Sequence, residues 1–226
     1  MSSMYKYRPQ HINDFVFAND RLEQQIRRYT DDRTREPLIL HGVHGTGKSL
    51  LAELIPKAID GNKVNVNKVC ADDVNNKKEV VDKFFRQAHF DTLFETAGQS
   101  RSYTVVEEVN FEQKAKGALR TCMDAMVGRE QFIFTTNELN KMDSGLRSRC
   151  EKVEVLPVPP DRFFARAKHI LDCEGIVMDD TTLKNMLEAV YEADCDNRAY
   201  YRALDEVIDA NWRAKYSTHK NEKNNI

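Results

Sequence analysis

The run Gly42-Val43-His44-Gly45-Thr46-Gly47-Lys48-Ser49 matches the pattern GxxxxGK[ST]. In that pattern the backbone N–H groups of a tight turn cradle phosphates, the lysine reaches the terminal phosphates, and the hydroxyl holds Mg2+. The flanks agree with this chemistry. Leu38-Ile39-Leu40 is a short apolar run suited to a buried parallel strand, and Ser49-Leu50-Leu51-Ala52 opens a helix whose N-terminal dipole faces an anion. Gly42, Gly45, Thr46, Gly47, Lys48, Ser49 and Leu50 are therefore the residues expected to hold a nucleotide, with ATP and Mg2+ as ligands. His44, unusual in such a loop, is expected to face solvent.

A second set of groups fits hydrolysis. The apolar run Tyr103 to Val106 ends in Glu107-Glu108, one carboxylate suited to hold Mg2+ through water and the next to polarise the attacking water. Paired glutamates after valines also end ordinary solvated strands, and their place downstream of a phosphate loop favours the catalytic reading. Asn137, after the run Phe132 to Thr136, positions water, contacts the γ-phosphate, or caps a loop. Arg149, in the run GLRSRC, is expected at a domain edge rather than beside its own phosphate loop, so its use is as a finger inserted into a neighbouring subunit's site. Arg147 is its nearby competitor. Arg198 either reaches the γ-phosphate from a second domain or is a surface arginine.

The elements that must position these groups follow from the chain's patterning. With 226 residues, 41% hydrophobic and 31% charged, it has room for one large domain, or a medium domain with a small companion. The net charge of -2 gives no global case for nucleic acid, so any basic surface is local. Five scattered cysteines without CxxC suggest neither a zinc site nor a disulfide framework and fit a reducing cytoplasm. The N-terminus lacks an apolar signal core, and no segment approaches a membrane span.

Tyr5 to Pro9 reads as an extended segment, Asn19 or Asp20 as the cap of a helix through Leu22, Ile26 and Tyr29, and Pro56 as the point where the next helix ends or bends. Strands are expected around Val64 to Val69, Tyr103 to Val106, Phe132 to Phe134 and Val153 to Leu156. Helices are expected over Lys77 to His89 and Phe111 to Met126. Alternation of this kind on a phosphate-loop start predicts an α/β parallel sheet with helices on both faces. Beyond Pro157, Pro159 and Pro160 the chain reads as three helices: Phe163 to Leu171, Thr181 to Tyr191, and Ala199 to about Lys215. The expected domains are 1–157 for the nucleotide, 158–216 as a small helical lid, and 217–226 as a disordered polar tail.

Tyr7-Arg8-Pro9, GVHGTGKS, VVEE, the helix containing ALRTCMD, Asn137 after its strand, and LRSRC together resemble the AAA+ ATPase subunits of sliding-clamp loaders. The spacing of Cys173-Glu174-Gly175-Ile176 and Asp196-Asn197-Arg198 is most similar to the ATPase subunit of T4-like phage clamp loaders. The resemblance covers roughly Tyr5 to Trp212. It implies a P-loop AAA+ domain followed by an all-helical lid, and Tyr7, Arg8, Val16 and Phe17 around adenine. It also implies DNA phosphates tracked by helix N-termini and basic residues, and a sliding clamp and other loader subunits as partners. Since the net charge is near zero, a local cluster must supply any DNA-phosphate contacts, and Lys114, Lys116 and Arg120 either make them or form a solvated helix face.

Three positions depart from that family's pattern. Glu107 stands where its Asp-Glu pair begins with aspartate, so slow hydrolysis is expected. Val109-Asn110 replaces a small residue and a second aspartate, and the collar domain is absent after the lid, so weak assembly without a partner or DNA is expected. Two other functions fit the residues: an AAA+ helicase loader or replication initiator, and a non-catalytic ATP-gated module that regulates a replication protein.

Overall fold

The computed structural model describes residues 2–61, 64, 66–70, 79, 102–107, 113–126 and 128–223, with the side chains of 113–115 and 216–223 left out. Glu108, Val109, Asn110, the expected helix over Lys77 to His89 and the Lys114 side chain therefore lie outside the described residues. Along the chain the described helices are α1 (Ser3–Lys6), α2 (Asp20–Thr30), α3 (Lys48–Asp60), α4 (Gln113–Ala125), α5 (Ser144–Arg147), α6 (Pro160–Cys173), α7 (Asp180–Ala193) and α8 (Asn197–Lys223).

Five strands, β1 (Leu38–His41), β2 (Val66–Cys70), β3 (Ser102–Glu107), β4 (Glu130–Thr136) and β5 (Glu151–Glu154), lie in the order β2-β3-β4-β1-β5. Every described pair is parallel, as expected, with Ile39 and Val106 both opposite Phe134. Side chains alternate between the two faces. Ile39, Val106, Phe132 and Phe134 form one core with Leu119, Cys122 and Met123 of α4 and Leu146 of α5. Leu38, Leu40, Val105 and Ile133 are fully buried on the other face, where α3 lies against β1, β3 and β4. Because both faces are covered, the central strands β1 and β4 carry continuous apolar runs, Leu38 to Leu40 and Phe132 to Phe134, rather than alternating ones.

The order of strands positions the site. β1 lies between β4 and β5, so the C-terminal ends of β1, β3 and β4 share one edge of the sheet. In an open parallel sheet this edge is where ligands bind.

Three local expectations differ from the structure. α3 does not end at Pro56 but runs to Asp60, where Gly61 at φ +86 stops it. The proline ring is buried on the packed side of the helix, and packing outweighs the lost hydrogen bond. β5 spans Glu151–Glu154 rather than Val153 to Leu156, because its partner β1 turns away at Gly42; one further bond remains, Val155 N–H to the His41 carbonyl at 2.7 Å. The N-terminal segment is helical over Ser3–Lys6 and stops before Arg8-Pro9. α8 runs from Asn197 to Lys223.

Two compact units emerge: residues 11–15 and 19–156, which carry the sheet, and residues 1–10, 16–18 and 157–226, which carry α6 to α8. The helical unit has its own core of Phe163, Ala167, Ile170, Leu183, Leu187, Tyr200 and Leu204, with Phe163 stacked on Tyr200 at 4.4 Å. Pro160 starts α6 at a position where a missing N–H is harmless. α1 belongs to this unit: Ser2 Oγ and Ser3 N–H donate to Asp205 at 2.6 and 2.8 Å, and Lys6 Nζ donates to Glu174 at 2.6 Å.

Candidate nucleotide site

β1 delivers the chain into the loop 42–47, and α3 receives it at Lys48. Gly42, Gly45 and Gly47 have φ of +140, +76 and +94, values that other residues rarely adopt. A Cβ on Gly42 would lie 2.4 Å from the Val155 carbonyl oxygen, and one on Gly47 would press on the Phe15 ring at 3.0 Å. The loop therefore closes on itself as tightly as its glycines permit. Thr46 is buried, with its Oγ1 donating to the Val43 carbonyl at 3.1 Å, while His44 is exposed as expected.

Lys48 is only 7% exposed. Its ammonium donates to the Gly42 and Val43 carbonyls at 3.0 and 2.6 Å, so the loop wraps round the charge. The first-turn amides of α3 have no carbonyl one turn back to bond within the helix, and Ser49 is exposed beside them. Ammonium, glycine cradle and helix N-terminus together suit a polyphosphate. His41, just before the loop, has its pKa lowered by burial, with the Lys48 charge adding to the effect and Glu154 opposing it.

At the same edge, Glu107 ends β3, partly exposed, and Asn137 follows β4, exposed. Ser49 and Glu107 supply the oxygen donors that Mg2+ prefers. Glu108 lies outside the described residues.

The other expected site residues fall in the helical unit. Tyr7 is half-buried, its hydroxyl donating to Glu174 Oε1 at 2.7 Å and its carbonyl accepting from Arg166 Nη2. Burial first, and then the Glu174 bond, raise its pKa. Val16 packs on the helical core, Phe17 is buried and Arg8 is exposed. Arg198 is exposed in the first turn of α8, its backbone N–H capped by Asp196 Oδ1 at 2.8 Å. The loop thus stands in one unit and these five residues in the other.

Arg149 is exposed two residues past α5. Its Nε and Nη2 donate to Asp124 Oδ1 and Oδ2 at 2.7 and 2.9 Å, and its Nη1 donates to the Gly145 carbonyl at 2.9 Å. The pair holds the Asp124 carboxyl below its ordinary range. Its competitor Arg147 is half-buried, with Nε enclosed. Arg120, expected on DNA, has its Nη1 3.7 Å from Asp143 Oδ1, and Lys116 is half-buried. Sequence reading missed Asp124. It lies one helical turn after Arg120 on α4, a spacing that does not point to Arg149.

A cleft of about 400 Å³ lined by His11, Arg27 and Lys57 among others lies at the C-terminal end of α3, away from the phosphate loop. No helix among the described residues is long and apolar enough to cross a membrane.

Residues 38–158 match the family described as "ATPase family associated with various cellular activities (AAA)", and the chain belongs to that family. It is similar to replication factor C small subunit 2 of Pyrobaculum arsenaticum, 26% identical over 194 residues that cover 83% of this chain and 56% of that one. It is also similar to replication factor C subunit 3 of Oryza sativa subsp. japonica, 28% identical over 178 residues, covering 77% and 49%. The chain thus spans about half the length of the curated relatives it matches. Its fold is that of the RuvB Holliday junction branch migration motor of Thermotoga maritima, with a TM-score of 0.73 at 14% identity, covering 92% of this chain and 67% of that one.

Proposed function

We propose that the chain is an ATP-hydrolysing subunit of a clamp-loader-like assembly, which couples ATP-driven association to DNA binding and to loading of a sliding clamp in DNA replication. The observation that carries the reading is the buried Lys48 ammonium inside a glycine cradle, at the sheet edge where Glu107 and Asn137 also emerge. Similarity to replication factor C subunits supports the replication setting.

In this reading Lys48 and the amides opening α3 hold the phosphates of ATP, while Ser49 and Glu107 hold Mg2+. The metal, when bound, neutralises charge on the β- and γ-oxygens. Glu108 polarises the attacking water and Asn137 orients it. Tyr7, Arg8, Val16 and Phe17 surround adenine, and Arg198 reaches the γ-phosphate from the lid of residues 158–216. Arg149 enters the site of a neighbouring subunit. DNA phosphates meet helix N-termini and the α4 residues Lys114, Lys116 and Arg120 without regard to sequence. The Cys173 to Ile176 and Asp196 to Arg198 spacings support a kinship with T4-like phage loaders, working in a bacterial host's cytoplasm.

The test is steady-state ATPase with and without primer-template DNA and a sliding clamp. DNA and clamp are expected to stimulate turnover, and Glu108→Gln to bind ATP without turning it over. ATP binding with no turnover in the unsubstituted chain under any of these conditions would instead indicate a non-catalytic ATP-gated module.

A further inference from the structure

We infer that Asp124 is a positioning residue for Arg149, gripping the guanidinium by one edge and presenting the remainder to the ATP phosphates of a neighbouring copy. This rests on the shared-site reading proposed above.

The grip is side-on and bidentate, Nε to Oδ1 at 2.7 Å and Nη2 to Oδ2 at 2.9 Å. Only the planar fork of arginine makes such a pair. Nη1 is fixed by the Gly145 carbonyl at 2.9 Å. An arginine has five N–H donors. Three are engaged here, so one on Nη1 and one on Nη2 remain to meet an anion. The two side chains are 38% and 56% exposed, and pairs so open to water contribute little stability. What the contact supplies is orientation: a side chain with four rotatable bonds is held in one direction before any partner arrives, which is how an effective catalytic group is prepared.

A second strut supports the same segment. Arg120, one turn before Asp124 on α4, lies over Gly145, where a Cβ would sit 2.5 Å from its Nη1, and that same nitrogen is 3.7 Å from Asp143 Oδ1. Asp143 in turn caps α5 through the Leu146 N–H at 3.0 Å. Two pairs of opposite polarity from one face of α4 thus fix residues 143–149 at both ends. The arginine so held is Arg149 and not Arg147, whose Nε is enclosed.

The test uses the full chain under assembly conditions. Asp124→Asn keeps the shape and removes the charge. It is expected to lower kcat between about ten- and a hundred-fold, the range for a misplaced group, with ATP affinity and thermal midpoint unchanged. Asp124→Glu, which keeps the charge, is expected to retain more turnover. In an Arg149→Ala background Asp124→Asn is expected to add nothing.

The location of the defect is decisive. Glu108→Gln subunits supply Arg149 to Arg149→Ala subunits in a mixture. Asp124→Asn placed in the Glu108→Gln donor should lower the restored activity, and placed in the recipient should not. A defect that follows the recipient, an additive loss, or turnover that is unchanged or faster in Asp124→Asn overturns the inference while leaving the shared site standing. Arg149→Ala without effect overturns both.

Discussion

Lys48 holds its charge almost out of water, and burying an ammonium is costly unless strong acceptors replace its hydration. Two loop carbonyls do so in the structure, and phosphate oxygens would do so better. Lys48→Ala is therefore expected to abolish tight ATP binding; calorimetry showing unchanged affinity would refute the phosphate-loop assignment. Gly42 tests the cradle independently of charge. Gly42→Ala forces a positive φ on alanine and drives its Cβ toward the Val155 carbonyl, so both nucleotide affinity and thermal stability should fall.

His41 adds a pH prediction at the same scale. Burial lowers its pKa from the ordinary 6.5 in the folded chain, so the unfolded chain takes up the proton first as pH drops. The stability tied to the neutral ring is complete above pH 6.5 and declines as pH falls toward the lowered folded value. Between about pH 7.5 and about pH 5.5, His41→Gln should lose less of its thermal midpoint than the parent chain. An identical loss in both proteins would show that this ring does not report burial.

Among the elements, helix ends carry measurable energy. Asn19 Oδ1 accepts the Leu22 N–H at 2.8 Å at the start of α2, and Asn19→Ala should cost about 1 kcal/mol by denaturant titration. The strand–loop–helix around Lys48 was legible in the sequence because glycine spacing, apolar run and helix start all point one way. Boundaries set by partners were not legible: β5 ends where β1 turns off at Gly42, and α3 passes Pro56 because tertiary packing holds the ring. The Arg149–Asp124 pair joins residues far apart in sequence, a relation that periodicity within α4 does not reveal. Nor does the spacing around Tyr7 show that Glu174 takes its hydroxyl.

The cysteine that follows Arg149 has a structural role. Cys150 joins the sheet core, and burial pushes its thiol up to about 12, as it does for Cys122. Cys70, Cys173 and Cys195 are exposed. A thiol reagent should therefore modify these three in the native protein and reach Cys122 and Cys150 only on unfolding; mass spectrometry of labelled peptides distinguishes the sets.

At the scale of the whole molecule, the candidate site residues are divided between the sheet unit and the helical unit, and the proposed mechanism adds a third source, the neighbour that supplies Arg149. Shared sites make activity a property of the assembly. The most direct measurement is ATPase rate per subunit against protein concentration, with primer-template DNA present, for the parent chain, for Arg149→Ala and for its mixture with Glu108→Gln. Specific activity should rise with concentration, and Arg149→Ala should lose roughly a thousand-fold or more while still binding ATP. The mixture should regain activity where an intact Glu108 site meets a neighbour's intact Arg149. Concentration-independent turnover that persists in Arg149→Ala would contradict the shared site.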